Sequence, residues 1–498
     1  MAVSMTTRGR WASSIAAGLL LPLAFAPFNL FWLAPVSLIM LFFLWEEQSP
    51  REAAILGCFY GMGVFTLGTY WLYISLRQLG GAPIPVVILL MSALVLAMSA
   101  YTALAGWLAN RIRTNAGPLQ WLVVLPAVWV LVEWFRGWFL TGFPWLSIGY
   151  SQVDTPFAAW APIIGVHGVS WVLALVAGLG VMVLRGGSRL QQLFAAVAGG
   201  VIVALSMQLQ SISWTQPRDE PLRVALVQAA IPQEVKWSPS QLQPTLSYYR
   251  DTTLALEAPD LVIWPEAAIP ALPFEVPGFL DELNEVMSEQ GTQLYSGILT
   301  FDIVTGEFRN TFMGIGAYQG RYDKRHLVPF GEYFPVPEFI SNWLRLMNLP
   351  SEDVTAGPPL QSTLEVNGVP IAPTICYEVA FGAEQLQFFP DAELMINISN
   401  DAWFGDSIAP HQHLQMARMR SLETGRPMLR STNTGITAII AADGGILTRI
   451  PQFVPGVLTA DVYPYTGMTP YIRWGNYPVV CSALLLFGVA ALRRKVSV

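Results

Sequence analysis

Eight long apolar runs limit what this chain can fold into more than any other feature of its sequence. Seven lie before residue 217 and the eighth lies near the carboxyl end. A membrane-spanning helix needs about 20 mostly apolar residues, and each run approaches that length. The sequence therefore predicts a polytopic α-helical membrane domain of about eight spans, at residues 11–27, 29–45, 53–76, 84–110, 118–135, 158–184, 190–209 and 476–492.

Charge is divided unevenly between these runs and the segment that separates the seventh from the eighth. The 498 residues are only 12% charged, about half the share in a typical soluble domain. Residues 1–217 and 474–498 hold 12 Lys and Arg against 5 Asp and Glu, whereas residues 218–473 hold 15 against 29. An acidic globular domain therefore interrupts a basic, apolar one. We expect a transmembrane domain of seven helices at 1–215, a soluble domain at 216–470, and a final helix and tail at 471–498.

Basic residues in the short loops predict the orientation, because Lys and Arg mark the cytoplasmic side. With eight spans both termini share one side, and that side has ten basic residues against Arg77 and Arg136 on the other. The soluble domain is then extracytoplasmic. The first run also resembles a cleavable signal peptide, but Pro27 directly after the small-residue site favours a retained helix. The ten basic residues are Arg8, Arg10, Arg51, Arg111, Arg113, Arg185, Arg189, Arg493, Arg494 and Lys495.

Short β-rich runs alternate with polar helical stretches between residues 221 and 465. This alternation is typical of an α/β layered domain. Functional residues in such domains gather in the loops beyond the strands. Strand runs are predicted at 222–231, 259–268, 292–301, 310–317, 368–378, 393–401 and 434–444, and helices at 240–257, 278–290 and 410–426.

One cysteine, Cys376 in "APTICYE", lies in the soluble part, while Cys58 and Cys481 lie in apolar runs. Extracytoplasmic compartments are oxidising, so structural cysteines there come in pairs. An unpaired cysteine is either a buried inert thiol or a reactive one. Residue type alone favours the inert interpretation, since free cysteine is among the most buried residues, so the neighbouring motifs must decide.

Two more polar residues follow apolar strand runs, Glu266 after "LVIWP" and Lys324 in "GRYDKRHLVPFGEYFP". Taken singly, each has an ordinary interpretation, as a first-turn helix carboxylate and as a solvated charged turn. Taken with Cys376 they form a chemical set. A carboxylate can accept the thiol proton, and a lysine can stabilise both a thiolate and a developing oxyanion.

Histidine offers no better partner for the cysteine. His326 lies two residues from Lys324, and His411 and His413 lie in a later polar segment. The sequence therefore favours the carboxylate, lysine and cysteine over a Cys/His pair. A metal cluster is not indicated either, because in the soluble part only "HQH" has plausible ligand spacing.

The motifs "WPEAA", "YDKRHLVPFGEYFP" and "TICYE", in that order, resemble the Glu-Lys-Cys triad of the nitrilase superfamily. The resemblance implies a four-layer α-β-β-α sandwich for the inserted domain. Together with the apolar runs, "NISNDAWFG" (397–405) and "HQHLQMARMRSLETGRP" (411–427) are similar to segments of the apolipoprotein N-acyltransferases, the membrane-bound branch of that superfamily.

This resemblance assigns a role to each matching position. Glu266 matches the general base, Lys324 the oxyanion-stabilising lysine and Cys376 the nucleophile. The supporting positions are Glu332 (a second glutamate), Tyr377 and Glu378 (flanking the nucleophile) and Trp237 (a substrate-arm tryptophan). For Trp237 the alternative is an ordinary amphipathic surface position.

The activity implied by the resemblance is transfer of the sn-1 acyl chain of a phospholipid to the amino group of the diacylglyceryl-cysteine that begins an apolipoprotein. The reaction would pass through a cysteine thioester. The expected partners are a phospholipid donor, a diacylated apolipoprotein acceptor and membrane lipids, with no nucleic acid, cofactor or metal. We expect a monomer in the cell inner membrane, with its catalytic domain in the periplasm.

Two other function classes are open to such a sequence. A membrane-tethered amidase or nitrilase-type hydrolase would carry the same triad. A transporter with a binding domain is less consistent, because the spans hold few ionisable residues, chiefly Glu133 and His167.

Two apolar excursions favour lipid substrates over soluble ones. Residues 135–156 are rich in aromatic residues and glycine, which is typical of either an interfacial belt or a lipid-contacting loop. Residues 330–350 are expected to dip toward the bilayer or to pack on their own domain. The expectation for residues 330–350 rests on the apolar side chains of Phe339, Trp343, Leu344 and Leu346.

Overall fold

A computed structural model describes residues 5–112, 117–185, 188–339, 341–342 and 353–496. Within these ranges the chain forms two compact units. The helical unit comprises the chain up to Tyr70, Ile88–Ser213 and the chain from Arg473 onward. The α/β unit comprises Trp71–Val87 and Trp214–Ile472.

Polar caps and small residues shape the helical unit. The side chains of Thr6, Ser49 and Ser188 each accept a backbone N–H at the start of a helix, which satisfies a donor that the helix leaves unpaired. A β-carbon on Gly18 would lie 2.1 Å from the Tyr60 carbonyl oxygen, so glycine permits two helices to approach closely. The helices are α1 (Thr7–Leu20), α2 (Leu33–Trp45), α3 (Pro50–Gly68), α4 (Ile84–Arg111), α5 (Leu125–Arg136), α6 (Ala161–Leu184) and α7 (Arg189–Leu209).

Each of the eight predicted runs contains a helix, since α1–α7 match the first seven and Tyr477–Val496 matches the last. Among the described residues, three helical stretches are long and apolar enough to cross a membrane, namely Ile84–Arg111, Pro156–Leu184 and Arg189–Leu209. The third predicted run is too long, because α3 ends at Gly68 and residues 71–87 belong to the α/β unit. The count of eight spans stays a prediction.

The first apolar excursion, residues 135–156, divides into a buried part and an exposed tip. Trp145 and Tyr150 are buried within the helical unit, while Trp138 and Leu140 are exposed. The Arg136 side chain stabilises the buried part by donating hydrogen bonds to the carbonyl oxygens of Phe143 at 3.0 Å and Trp145 at 2.5 Å. Of the second excursion, Phe339 is 74% exposed, and Trp343, Leu344 and Leu346 lie outside the described residues.

The α/β unit is built on two six-stranded sheets and a short ribbon. In chain order the strands are β1 (Thr215–Pro217), β2 (Leu222–Gln228), β3 (Leu261–Ile263), β4 (Gln293–Asp302), β5 (Glu307–Ile315), β6 (Arg321–Asp323), β7 (Leu364–Val366), β8 (Val369–Ile375), β9 (Leu394–Ser399), β10 (Met428–Thr432), β11 (Thr437–Ile440), β12 (Ile446–Ile450), β13 (Gly456–Val462) and β14 (Tyr465–Gly467). Sheet I has the strand order β13-β2-β3-β4-β5-β6, and sheet II has the order β12-β11-β10-β9-β8-β7. The ribbon pairs β1 with β14.

Helices cover the sheets and complete the α-β-β-α order of layers that the family resemblance implies. Leu246 and Leu283, on two helices, join the buried core on sheet I with Val262 and Leu294. Sheet II meets sheet I through contacts such as Ser431 Oγ with the Ile263 carbonyl oxygen at 3.3 Å. A third helix, buried along almost all of its length, packs against β10. The helices are α8 (Gln233–Lys236), α9 (Pro239–Leu254), α10 (Pro277–Gln290), α11 (Gly382–Gln385), α12 (Ala409–Thr424) and α13 (Pro470–Trp474), followed by α14 (Tyr477–Val496) in the chain.

Parallel pairing brings the polar strand ends together. β2, β3 and β4 run parallel in sheet I, and β8, β9 and β10 run parallel in sheet II. The residues of β8, β9 and β10 are almost all buried, as expected for strands covered on both faces. Loops at the carboxyl ends of β3, β8 and β9 carry Glu266, Cys376 and Asn400. The fold thus gathers at one place the polar residues that follow apolar runs.

Candidate active site

Glu266 lies just beyond β3 and is buried. Its Oε1 accepts the side-chain amide of Asn310 at 2.7 Å, and its Oε2 accepts the backbone N–H of Asn400 at 2.8 Å. One donor comes from each sheet, since Asn310 lies on β5 and Asn400 follows β9. The carboxylate is therefore held in a fixed direction by both layers.

Lys324 follows β6 and is 1% exposed. Its Nζ donates to Glu332 Oε1 at 2.8 Å and lies 3.5 Å from Glu266 Oε1. Burial lowers the pKa of Lys324, but the charges of Glu332 and Glu266, with a smaller electrostatic effect of Cys376, outweigh burial and raise the pKa well above its ordinary value. The lysine is therefore an ammonium ion at every physiological pH.

Cys376 follows β8 and begins the 3-10 turn Cys376–Ala380. Its φ is +53°, a left-handed conformation that is uncommon outside glycine. Burial and the nearby charge of Glu266 raise the pKa of the Cys376 thiol, and Lys324 opposes them. The resting side chain is thus a neutral thiol that interacts electrostatically with both a carboxylate and an ammonium. A thiol in this setting becomes a nucleophile when the carboxylate accepts its proton.

Glu378 joins the cysteine turn to the lysine segment. Its Oε2 accepts the Ile375 N–H at 2.7 Å, while its Oε1 accepts the Arg325 N–H at 2.7 Å and the Tyr322 hydroxyl at 2.8 Å. Burial raises the pKa of Glu378, against these hydrogen bonds. The side chain of Tyr377 lies beside the ring of His326, with 5.7 Å between centroids. Glu378 therefore fixes the spacing between the turn of Cys376 and the segment of Lys324.

The predicted substrate-arm tryptophan, Trp237, is 47% exposed at the end of α8. Its neighbour Lys236 is buried and donates to the Glu266 carbonyl oxygen at 3.1 Å. Burial lowers the pKa of Lys236 to about 8, and Glu266 opposes this. The structure thus brings Lys236 to the triad, whereas the Trp237 side chain is half open to solvent.

Four buried residues behind the cysteine were missed by the sequence prediction. His413 Nε2 lies 3.1 Å from the Cys376 carbonyl oxygen and its Nδ1 lies 2.9 Å from Asp401 Oδ1. Arg430 and Asn397 complete the set. The contact is to the backbone of Cys376, so it does not create the Cys/His pair that the sequence disfavours. Asp401 is the second residue after the apolar strand β9. The search for polar residues just beyond strand ends, which selected Glu266, could therefore have found Asp401 as well.

Asn310 was also missed, and its position explains why. It lies inside β5, where it appears as one polar residue in an alternating strand. Its side chain joins Glu266 Oε1 at 2.7 Å to Glu332 Oε1 at 3.4 Å. Over the described residues, no group of three or more His, Cys, Asp or Glu is arranged to hold a metal ion. The chemistry that this site offers is acid–base and nucleophilic.

The α/β unit matches the family of the carbon-nitrogen hydrolases over residues 223–471, so the class of the catalytic unit is that of the nitrilase-like enzymes. Residues 17–179 match a second family, described as the apolipoprotein N-acyltransferase N-terminal domain. The chain is 40% identical to the apolipoprotein N-acyltransferase of Methylococcus capsulatus over 97% of its own length and 96% of that protein. It is 43% identical to the protein of the same name from Azotobacter vinelandii, over 98% and 96%. The chain belongs to the apolipoprotein N-acyltransferase family and is a membrane enzyme.

Among solved structures, Nit3 of Saccharomyces cerevisiae, a member of branch 10 of the nitrilase superfamily, covers 49% of this chain and 91% of its own at 17% identity. The TM-score is 0.39. This likeness is too low to support any statement about the activity of the present chain, and the family matches alone carry the assignment.

Proposed function

We propose that this enzyme transfers the sn-1 acyl chain of a phospholipid to the α-amino group of the diacylglyceryl-cysteine at the start of an apolipoprotein, which completes lipoprotein maturation. Glu266 is the general base, Lys324 the oxyanion-stabilising cation and Cys376 the nucleophile. The observation that carries the proposal is the buried contact of Lys324 Nζ with both Glu332 and Glu266, at 2.8 and 3.5 Å, beside the Cys376 thiol.

In the first half-reaction the thiol proton of Cys376 moves to a carboxylate oxygen of Glu266 as the sulfur attacks the ester carbonyl carbon. The negative charge on the carbonyl oxygen is stabilised by the ammonium of Lys324. Collapse of this intermediate breaks the ester C–O bond. The lysophospholipid leaves as an alcohol, with the proton returned by Glu266, and the acyl group stays on Cys376 as a thioester.

In the second half-reaction the free amino group of the acceptor attacks the thioester carbon. Glu266 accepts the amine proton, and the oxyanion again lies against Lys324. Collapse breaks the C–S bond, gives an amide and returns the proton to the sulfur. Water is the competing acceptor, so the thioester must be kept from it until the amine arrives.

Glu332 and the two residues after the nucleophile have supporting roles in this proposal. An ammonium has three N–H groups, and Glu332 and Glu266 each accept one from Lys324. The third is the donor that we assign to the oxyanion. Glu378 and Tyr377 hold the cysteine turn, and Trp237 contacts the acyl donor or acceptor from its half-exposed position.

The membrane arrangement that we propose has eight spans, both termini in the cytoplasm and a periplasmic catalytic domain at 216–470, all in a monomer in the cell inner membrane. The ten-to-two distribution of basic residues supports it. Both substrates carry acyl chains anchored in a bilayer. A catalytic segment joined at both ends to apolar helices stays at the membrane where such substrates are found.

Mass analysis of Cys376 after exposure to phospholipid tests the activity and separates a transferase from a hydrolase. With phospholipid alone, the protein should gain one acyl chain at Cys376 and release lysophospholipid in a single burst. A diacylated lipopeptide with a free amino terminus should remove the adduct and restart release. The same lipopeptide, acetylated at its amino terminus, is the control and should do neither. Continuous release of free fatty acid without an amine would establish the hydrolase instead.

A further inference from the structure

The nucleophile is held from behind by a buried polar cluster that the reaction steps above do not use. His413, on α12, is 1% exposed and places its Nε2 3.1 Å from the Cys376 carbonyl oxygen. Asn397 Nδ2 lies 3.4 Å from the same oxygen. The backbone carbonyl of Cys376 therefore has two side-chain donors, one from a helix and one from β9.

The identity of the partners fixes the protonation of His413 Nε2. A carbonyl oxygen can only accept a hydrogen bond, so Nε2 must carry a proton. On the other side of the ring, Nδ1 lies 3.0 Å from Arg430 Nη2 and 2.9 Å from Asp401 Oδ1. Burial and the charge of Arg430 lower the pKa of His413, against Asp401. Nε2 therefore donates to the Cys376 carbonyl oxygen, while Asp401 and Arg430 both contact Nδ1 and hold the ring in place.

The rest of the cluster holds the imidazole and the amide in one orientation. Arg430 Nη2 donates to Asp401 Oδ2 at 2.8 Å, and Ser399 Oγ donates to Asp401 Oδ1 at 2.8 Å. Arg430 also donates to Asn397 Oδ1, which leaves the Asn397 amide N–H groups directed toward Thr374 and Cys376. Burial raises the pKa of Asp401, but Arg430 and His413 outweigh it and hold the pKa below its ordinary range. Arg430 and Asp401 thus form a buried ion pair, in which the two charges neutralise each other, behind the imidazole ring of His413.

A restraint on this carbonyl matters because of the backbone conformation of the nucleophile. The φ of +53° at Cys376 is unfavourable for a residue with a side chain, and such a conformation persists only when its surroundings hold it. The peptide bond is planar and trans, so a fixed Cys376 carbonyl also fixes the direction of the Tyr377 N–H. A shift of the carbonyl would move both the thiol and that N–H relative to Lys324.

We propose that His413 is a positioning residue of the acyl-transfer site, which holds the Cys376 carbonyl through its Nε2–H so that the thiol stays in line with Glu266 and Lys324. The inference rests on the proposed function for its reaction step. It differs from that function in assigning a role to a side chain that touches neither substrate nor the reacting atoms.

Two amide substitutions separate this role from a merely structural one. In His413→Gln the amide nitrogen can replace Nε2, while in His413→Asn it can replace only Nδ1 and cannot reach Cys376. The burst of lysophospholipid release should be near wild type in His413→Gln and lower by about tenfold in His413→Asn, the loss expected for one hydrogen bond in the transition state. His411→Asn, two residues away on the same helix and with its Nε2 3.1 Å from Gln452 Nε2, is the matched control and should be unaffected.

Alkylation of Cys376 by iodoacetamide, followed by peptide mass analysis, gives a second readout that needs no lipid. His413→Asn should change the alkylation rate of Cys376, and leave the rates of Cys58 and Cys481 as they are, while His413→Gln should not. Equal burst and alkylation rates in the Asn and Gln variants, both with wild-type thermal unfolding, would overturn the role of His413. If the wild-type protein gave no acyl adduct but the two variants still differed in alkylation, the acyl-transfer proposal would fail and the positioning role would stand.

Discussion

A β-carbon on Gly297 would lie 2.6 Å from the Cα of Glu266. Gly297 is on β4, and its N–H donates to the Pro265 carbonyl oxygen at 3.3 Å, so β4 runs directly behind the segment that carries the proposed base. Any side chain at this position must shift the backbone of either Glu266 or β4, which disturbs the contacts of Glu266 with Asn310 and Lys324. Glycine here serves close approach of two backbones, since its φ is not in the left-handed region.

Gly297→Ala should therefore lower acyl transfer by about 100-fold, because displacement of a catalytic group by about 1 Å has that effect. The initial rate of lysophospholipid release measures it. Gly278→Ala is the control, as a β-carbon there meets no described atom within 4 Å. A Gly297→Ala protein with unchanged rate would mean that the segment of Glu266 can move without loss, and that its geometry is not critical.

Glu332→Gln should move the alkaline limb of the pH–rate profile to lower pH. The charge of Glu332 helps to raise the pKa of Lys324 against the effect of burial, and the proposed mechanism needs the protonated lysine. Its removal lowers that pKa, so activity is lost earlier as the pH rises. The rate at neutral pH should also fall by about tenfold or more, since one partner of a buried pair is gone. Rates between pH 6 and pH 11 give the profile.

Glu338→Gln is the control for this change, because Glu338 is exposed and only six residues away. It should leave both the profile and the rate alone. An alkaline limb at the same pH in Glu332→Gln and the wild type would show that Glu332 does not maintain the charge of Lys324.

Glu266→Gln should abolish acyl transfer and yet allow Cys376 to be alkylated at lower pH. The charge of Glu266 raises the pKa of the Cys376 thiol, and Lys324 lowers it. Neutralising the carboxylate leaves the lysine less opposed, so the thiolate forms earlier as the pH rises. The rate of iodoacetamide labelling against pH measures the shift, with exposed Glu289→Gln as the control. A midpoint that moves upward would contradict the charge arrangement described for the triad.

The three cysteines offer a direct comparison of thiols. Cys376→Ala should abolish both the acyl adduct and lysophospholipid release, whereas Cys58→Ala and Cys481→Ala should retain them, because those cysteines lie on α3 and α14. Thermal unfolding should be similar in all three variants. Any adduct on the Cys376→Ala protein would show that another group is the acyl carrier.

The predicted topology can be checked with reporters. A reporter inserted at Gly306, in the exposed turn between β4 and β5, should report an extracytoplasmic position. One fused after Val498 should report the cytoplasm. The same side for both would mean that the chain after Gly306 does not cross the membrane an odd number of times, so Tyr477–Val496 would not be a span and the count of eight would be off by one.

The sequence predicted the layered fold, and it pointed to Glu266 and Cys376 as candidate site residues, for a physical reason. Apolar runs that end in polar residues identify buried strands, and parallel strands place their carboxyl ends together. Glu266 and Cys376 both follow such runs, so they could be found without coordinates. The assigned roles of these residues came from the family resemblance, which supplied Trp237 as well.

Other contacts depend on register and packing, which the sequence does not display. Asn310 reaches Glu266 only because β5 pairs with β4 in one register. His413 lies in the middle of a polar-looking helix, and its burial follows from the packing of α12. Lys236 lies in a polar stretch of sequence, and only the packing of α8 buries it and brings it to Glu266. The third predicted span was drawn too long for the same reason, as its apolar end packs with the α/β unit.

The ribbon of β1 and β14 places Thr215 opposite Gly467, at the two ends of the α/β segment. Antiparallel neighbours lie about 5 Å apart, so the two ends of roughly 250 residues of chain meet within the width of one strand pair. A loop between two helices could have acquired this segment in a single genetic insertion, because the loop ends had only to part by about that distance. The segment does not form the α/β unit by itself, however, because Trp71–Val87 also belong to that unit.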